Sequence, residues 1–183
     1  MRVFLALEIP EDIKVYLSGI SKTMSQRVPG VKWIKPEGQH MTLKFFGEIG
    51  EEKVREVEAA LEGIDRQHGV VHVTLKEITA FPDKKRAKVV VVTFGEGVDN
   101  TRAIFHDIES RLEAVNIEKE RREFTPHVTL GRVKVPMPLL ERDLAQVEQK
   151  SFVVDRLVVY QSTLTREGAI YAPLKEIKFE RNP

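Results

Sequence analysis

A chain of 183 residues with 42% apolar and 31% charged side chains is long enough for one well-buried core or two small lobes, and too charged for a membrane protein. Its net charge of +1 argues against wrapping a long nucleic acid, an affinity built from many phosphate contacts, and leaves room for a small anionic group or a strand end. The absence of cysteine removes disulfide frameworks, thiolate nucleophiles and cysteine-ligated metal sites, so any chemistry must come from His, Thr, Arg and carboxylates.

Residues 1–8 alternate like a strand and lack the long apolar region of a signal peptide. No run reaches the apolar length of a spanning helix, so the sequence reads as a cytoplasmic protein with no membrane association. The periodicity predicts a strand over 3–9, a helix over 11–27 with Ile13, Leu17, Ile20 and Met24 on one stripe, and an extended piece over 31–35. After a turn over 36–39 come a strand over 40–46, a helix over 51–67 carrying Val54, Val57, Leu61 and Ile64, and a strand over 70–79. Beyond the turn that starts at Phe81-Pro82 the same order restarts: strand 88–94, helix 99–115, extended 117–124, strand 127–133, helix 138–149 and strand 152–161. A last strand over 169–179 follows Glu167-Gly168. The chain is expected to be a single domain, 1–183, made of two pseudo-repeats at about 1–80 and 88–165 plus a C-terminal strand.

Two tetrads stand 87 positions apart in this repeat: His40-Met41-Thr42-Leu43 and His127-Val128-Thr129-Leu130. A strand sends residues i and i+2 to one face, so each histidine travels with its threonine while Met41 with Leu43, and Val128 with Leu130, turn into the core. A third copy, His72-Val73-Thr74-Leu75, has the same letters. At the repeat offset Val3 maps to Val90, Asp12 to Asp99 and His40 to His127, whereas His72 maps to Val159 and has no partner. Alternating Val71, Val73 and Leu75 already explain that copy as a half-buried strand, so His72 reads as structural or surface. The expected architecture is α+β, a bilobal duplicated fold with two antiparallel β-sheets flanking a central cleft, helices on the outer faces, and a pseudo-two-fold bringing both tetrads to the cleft.

Two imidazoles on opposing walls suit general acid–base catalysis, since a neutral ring takes a proton while a charged one gives it, and both states are accessible near neutral pH. In-line displacement at phosphorus places attacking and leaving oxygens on opposite sides. Thr42 and Thr129 hydroxyls suit the non-bridging phosphate oxygens. Arg132 is either a further phosphate partner or a solvent-facing strand-end residue, and its repeat position is Phe45. A metal site is the natural rival for paired histidines. The tetrads hold no carboxylate or cysteine and lack His-x-x-x-His spacing, so no metal and no cofactor is expected.

Residues 4–10, Trp33, the stretch from His40 to Glu48, Phe81-Pro82, and Thr125-Pro126-His127-Val128-Thr129-Leu130-Gly131-Arg132 together resemble the 2H phosphoesterase superfamily, and within it the RNA 2′,3′-cyclic phosphodiesterase branch also described as 2′-5′ RNA ligase. The resemblance implies metal-independent hydrolysis of a terminal 2′,3′-cyclic phosphate on RNA to a 2′-phosphomonoester, with reversal giving 2′-5′ joining. It implies His40 as proton donor and His127 as proton acceptor, roles that the sequence itself does not distinguish. The expected partners are RNA 3′ ends bearing a cyclic phosphate, tRNA fragments among them, and the expected state is a monomer. Trp33, Phe46, Phe81 and Phe124 are candidates to stack on a terminal base, although strand aromatics usually serve as core. Two other readings stay open: the same chemistry on another 2′-linked phosphodiester or cyclic nucleotide, and an RNA-end binding protein without turnover.

Overall fold

Apolar alternation builds the first strand, and in the computed structural model, which describes residues 1–181, both of its faces are used. β1 (Arg2–Leu7) sends Val3, Leu5 and Leu7 into the main core and packs Phe4 and Ala6 into a smaller cluster on the opposite face. α1 (Glu11–Ser25) lays Ile13, Leu17, Ile20 and Met24 onto the core, with Glu11 and Asp12 in its first turn and Lys22 in its last, where the helix dipole favours those charges. After β2 (Val31–Trp33) and β3 (Met41–Glu48), α2 (Glu51–Leu61) buries Val54, Val57 and Leu61. α2 is shorter than the periodicity predicts because Glu62, at ψ 135°, and then Gly63, at φ +81°, leave the helical region. Ile64 keeps its buried place from a separate 3-10 turn, Ile64–Arg66.

β4 (Val71–Phe81) and β5 (Ala87–Phe94) form a hairpin, and α3 (Val98–Glu113) returns across the core with Ile104, Phe105, Ile108 and Leu112. Residues 117–124 run as a loop into β6 (His127–Met137). The helix predicted over 138–149 does not form. Only a 3-10 turn, Glu141–Asp143, appears there, since the segment gains more from tertiary ties than from a costly short helix. Leu139 N–H donates to Lys84 O, Glu148 N–H donates to the Tyr16 hydroxyl, and Lys150 Nζ sits 4.8 Å over the Tyr16 ring.

The single strand predicted over 152–161 is two strands, β7 (Ser151–Val154) and β8 (Arg156–Thr165), broken at Asp155. Asp155 O accepts from Phe179 N–H and its carboxylate holds Arg156 at 2.9 Å, so the chain turns there from one sheet to the other. β9 (Gly168–Lys178) completes a terminal hairpin.

The sheets have the orders β3-β1-β8-β9 and β2-β6-β5-β4-β7, with every neighbouring pair antiparallel. They do not coincide with the halves of the sequence. β4 from the first half sits in the second sheet and β8 from the second half in the first, so neither half completes a sheet alone. One continuous core runs through the α1, α2 and α3 side of both sheets. Each leucine removed from water there contributes about 2 kcal/mol, more than a typical exposed ion pair, so apolar burial holds the fold. No helix among the described residues is long and apolar enough to cross a membrane.

Candidate active site

β3 enters from a 3-10 turn, Pro36–Gly38, through buried Gln39, whose amide donates to Ser18 Oγ of α1 at 3.2 Å and directs the chain at His40. Met41 and Leu43 are buried in the core and Thr42 is half-buried; on β6, Val128 and Leu130 are buried while His127 and Thr129 are half-buried. The tetrads therefore sort by strand parity as expected. β3 belongs to one sheet and β6 to the other, and the two strands touch.

The strand ladders define which residues are counterparts. Ala6 pairs Thr42 and then Leu5 pairs Lys44; Val91 pairs Thr129 and then Val90 pairs Gly131. Leu43 and Leu130 are thus skipped, and the same β-bulge sits in both tetrads. Counterparts on the central strands are Leu5 and Val90, so the sequence alignment of Val3 with Val90 is two residues out of register. Val159 faces Leu5 as Ala80 faces Val90, which makes Ala80, and not His72, the counterpart of Val159. By the same ladders Tyr160 corresponds to Phe81 and Phe45 to Arg132.

The bulge decides where Arg132 points. Five residues beyond His127, simple alternation would send it with Leu130 to the core. With one residue bulged, Val133 packs against the core and Arg132 is exposed on the tetrad face. Gly131 is obligatory beside it, because a Cβ there would lie 2.5 Å from Val31 Cγ1 and 3.0 Å from the Trp33 ring.

His40 is only 6% exposed. Its ring lies 4.7 Å from Tyr160, 5.3 Å from Tyr171 and 5.6 Å from Phe4, and neither ring nitrogen has a hydrogen-bond partner among the described residues. A buried imidazole left unpaired is costly unless a ligand completes it. Nδ1 lies 3.6 Å from Glu8 Oε2, within ion-pair reach. Burial alone would raise the Glu8 carboxyl, but His40, Lys14 and Tyr160 together bring it down to about 2. Lys14 Nζ is 2.5 Å from Glu8 Oε1 and the Tyr160 hydroxyl donates to Oε2. Burial, then the Glu8 carboxylate, raises the Tyr160 pKa, which keeps that hydroxyl a donor. Glu8 is a fixed negative charge beside His40.

His127 is set differently. Its Nδ1–H donates to Thr125 O at 2.7 Å, which leaves the Nε2 lone pair free, and Phe81 meets the ring edge-on at 4.9 Å. Burial pushes its pKa below the ordinary 6.5, against the opposing pull of the Thr125 carbonyl. Each imidazole thus has one aromatic neighbour at an equivalent position, Tyr160 or Phe81, and one neighbour that is its own, Glu8 or Thr125.

The other aromatics singled out in the sequence lie against the core. Trp33 packs over Gly131, Phe124 stacks on Phe105 at 4.4 Å, and Phe46 sits against the core edge. Phe4, Tyr160 and Tyr171 are the rings at His40, and the sequence reading passed over all three along with Glu8. The signal was present in β1 and β8, where Phe4 and Tyr160 break the apolar parity of their strands. His72 is exposed on β4 opposite Val153 of β7. His72→Ala is expected to leave turnover within about twofold of the parent, and a loss matching that of either tetrad histidine would refute the pairing. Among the described residues no three His, Asp or Glu side chains cluster in a way that could hold a metal ion.

The family described as LigT like Phosphoesterase matches residues 7–91 and 95–171. Among curated relatives, the RNA 2′,3′-cyclic phosphodiesterase of Methanocaldococcus jannaschii is 35% identical in an alignment that covers 96% of this chain and 99% of that protein. The protein of the same name from Thermotoga maritima is 32% identical, over 98% of this chain and 96% of its own length. Of solved structures, TT0787 of Thermus thermophilus superposes with a TM-score of 0.83 at 24% identity over the whole of both chains. E. coli LigT complexed with 3′-AMP does so at 0.79 and 20% identity over 97% of each. These two share the fold.

Proposed function

Because this chain belongs to the LigT-like phosphoesterase family, we propose that it hydrolyses the 2′,3′-cyclic phosphodiester at an RNA 3′ end to a 2′-phosphomonoester, with His127 as general base and His40 as general acid. The observation that carries the assignment is the contrast between two equivalent histidines: His127 has a free Nε2 lone pair and a lowered pKa, and His40 faces an ionised carboxylate. His127 Nε2 takes a proton from water as the water oxygen bonds to phosphorus. The bond from phosphorus to the 3′ oxygen breaks on the opposite side, and His40 gives that oxygen its proton. The step ends with His127 charged and His40 neutral, and exchange with solvent restores both. Thr42, Thr129 and Arg132 hold the non-bridging oxygens as charge builds on them. With an RNA 5′ hydroxyl in place of water, the same step joins ends through a 2′-5′ linkage.

We extend the reading to a monomer working in the cytoplasm on RNA ends such as those of tRNA fragments. The lack of cysteine and the net charge of +1 support it. The deciding assay incubates the purified protein, with chelator present, with an RNA oligomer ending in 2′,3′-cyclic phosphate. A 2′-phosphate product is expected; intact substrate would overturn the hydrolase reading.

A further inference from the structure

One stripe of α3 takes hold of the segment that leads into the second tetrad. Arg102 Nε–H donates to Phe124 O at 3.1 Å. Phe105, three residues on along the same face, stacks on the Phe124 ring at 4.4 Å with the planes 17° apart. Buried Glu109, a further turn on, accepts from Glu120 N–H at 2.6 Å and pairs with Lys44 Nζ of β3 at 2.8 Å. The helix itself is seated in the core by Ile104, Phe105, Ile108 and Leu112. Residues 120–124 are thus fixed from a rigid support, ahead of the strand pairing that starts at His127.

Between that support and the histidine lie two residues with little freedom. A proline fixes its own φ and pushes the residue before it toward the extended region, so Thr125-Pro126 carries the orientation of the Phe124 carbonyl forward and does not absorb it. Thr125 O then lies 2.7 Å from His127 Nδ1. A carbonyl can only accept, so the ring nitrogen facing it bears the proton and the neutral ring keeps its lone pair on Nε2. The other half of the site has no such strut. α1 and α3 begin 87 residues apart, at Glu11 and Val98, and at that offset Arg102 stands opposite Val15, an apolar residue 63% exposed. His40 accordingly faces the Glu8 carboxylate, and no carbonyl holds either of its ring nitrogens among the described residues.

We propose that Arg102 is a positioning residue for His127: by holding Phe124 O it keeps Thr125 O against the ring, and so keeps the imidazole proton on Nδ1 and the Nε2 lone pair turned to the attacking water. The proposal rests on the general-base reading of His127 and deepens it. Burial lowers the His127 pKa and the Thr125 carbonyl raises it, with no charged side chain among the described residues adding to either. Loosening the carbonyl therefore lowers the pKa further, and a released ring is slower on its plateau yet stays neutral to lower pH. Loss of structure alone would not couple those two changes.

The test sets Arg102→Met, an unbranched stem without a donor, against Arg102→Lys, whose ammonium can reach a single carbonyl. Glu123→Gln is the control for the exposed ion pair that Arg102 makes at 3.8 Å. In isotopically labelled protein, at a pH where the ring is neutral, the ring-nitrogen NMR shifts of His127, assigned by their loss in His127→Ala, report which nitrogen carries the proton. The parent is expected to show Nδ1–H, Arg102→Met a mixture of both forms, and Arg102→Lys and Glu123→Gln the parent form. On an RNA oligomer ending in 2′,3′-cyclic phosphate, Arg102→Met should lower kcat by about tenfold with KM within about twofold, and Arg102→Lys should recover most of that rate. The acid limb of Arg102→Met should move to lower pH. Phe124→Leu, which removes the stack on Phe105, should shift the same readouts in the same direction and stands in if Arg102→Met does not fold. A parent-like tautomer in the Met variant or its stand-in, equal losses in Arg102→Met and Arg102→Lys, or the same change in Glu123→Gln overturns the proposal. A parent that turns over no cyclic phosphate sinks the hydrolase reading separately, and the tautomer measurement then decides Arg102 without it.

Discussion

Replacing His127 with alanine is expected to cut kcat on a cyclic phosphate by about a hundredfold or more, with KM changed only a few-fold, because the proposed general base acts on the proton of the attacking water. The strand itself should survive, since Val128 and Leu130 supply its core contacts and the histidine adds only an edge-on contact to Phe81 and the hydrogen bond to Thr125 O. The parent pH profile carries the sharper check. Burial disfavours the charged ring and lowers its pKa, so the neutral, base-competent form persists as pH falls past 6.5. The acid limb of kcat/KM therefore has its midpoint below 6.5 in the parent and disappears in the variant. An unchanged limb in His127→Ala would assign it to another group.

The parts of this site that were legible in the sequence are those that depend on neighbours in the chain. A histidine and a threonine two apart on a strand share a face whatever the tertiary structure, and a repeat that returns the same pair marks both as equivalent. What the sequence hid depends on strands arriving from elsewhere. Glu8 reaches His40 across β1 and β3, and Tyr160 and Tyr171 arrive on β8 and β9, more than a hundred residues downstream. The bulges at Leu43 and Leu130 leave no mark in the spacing. They are visible only in the ladders, yet they turn Arg132 and Phe45 outward. The 87-residue offset served for the tetrads and failed for the central strands and for His72, because segments between them differ in length by a few residues. The missing helix over 138–149 is a case of tertiary ties overriding a local apolar pattern.

Replacing His40 with alanine is expected to cost about a hundredfold or more on the natural oxygen ester, the same scale as the base, so the rate alone cannot separate the two roles. Leaving-group chemistry can. When sulfur replaces the bridging 3′ oxygen, the departing thiolate is stable without a proton and the acid has nothing to supply. On that substrate His40→Ala should recover to within about tenfold of the parent, while His127→Ala remains slow. The reverse pattern would exchange the roles of the two rings. Glu8→Gln extends the logic one contact outward. Glu8, with a pKa of about 2, is ionised throughout the working range, so the substitution removes a constant negative charge 3.6 Å from Nδ1 while keeping the side chain's size. If the Glu8 carboxylate acts on the proton that His40 gives to the leaving oxygen, its loss slows the oxygen ester by about tenfold and leaves the sulfur ester untouched. Slowing of both esters would mean that Glu8 only props the ring in place. That outcome would leave the proton on His40 to be explained by something other than the carboxylate beside it.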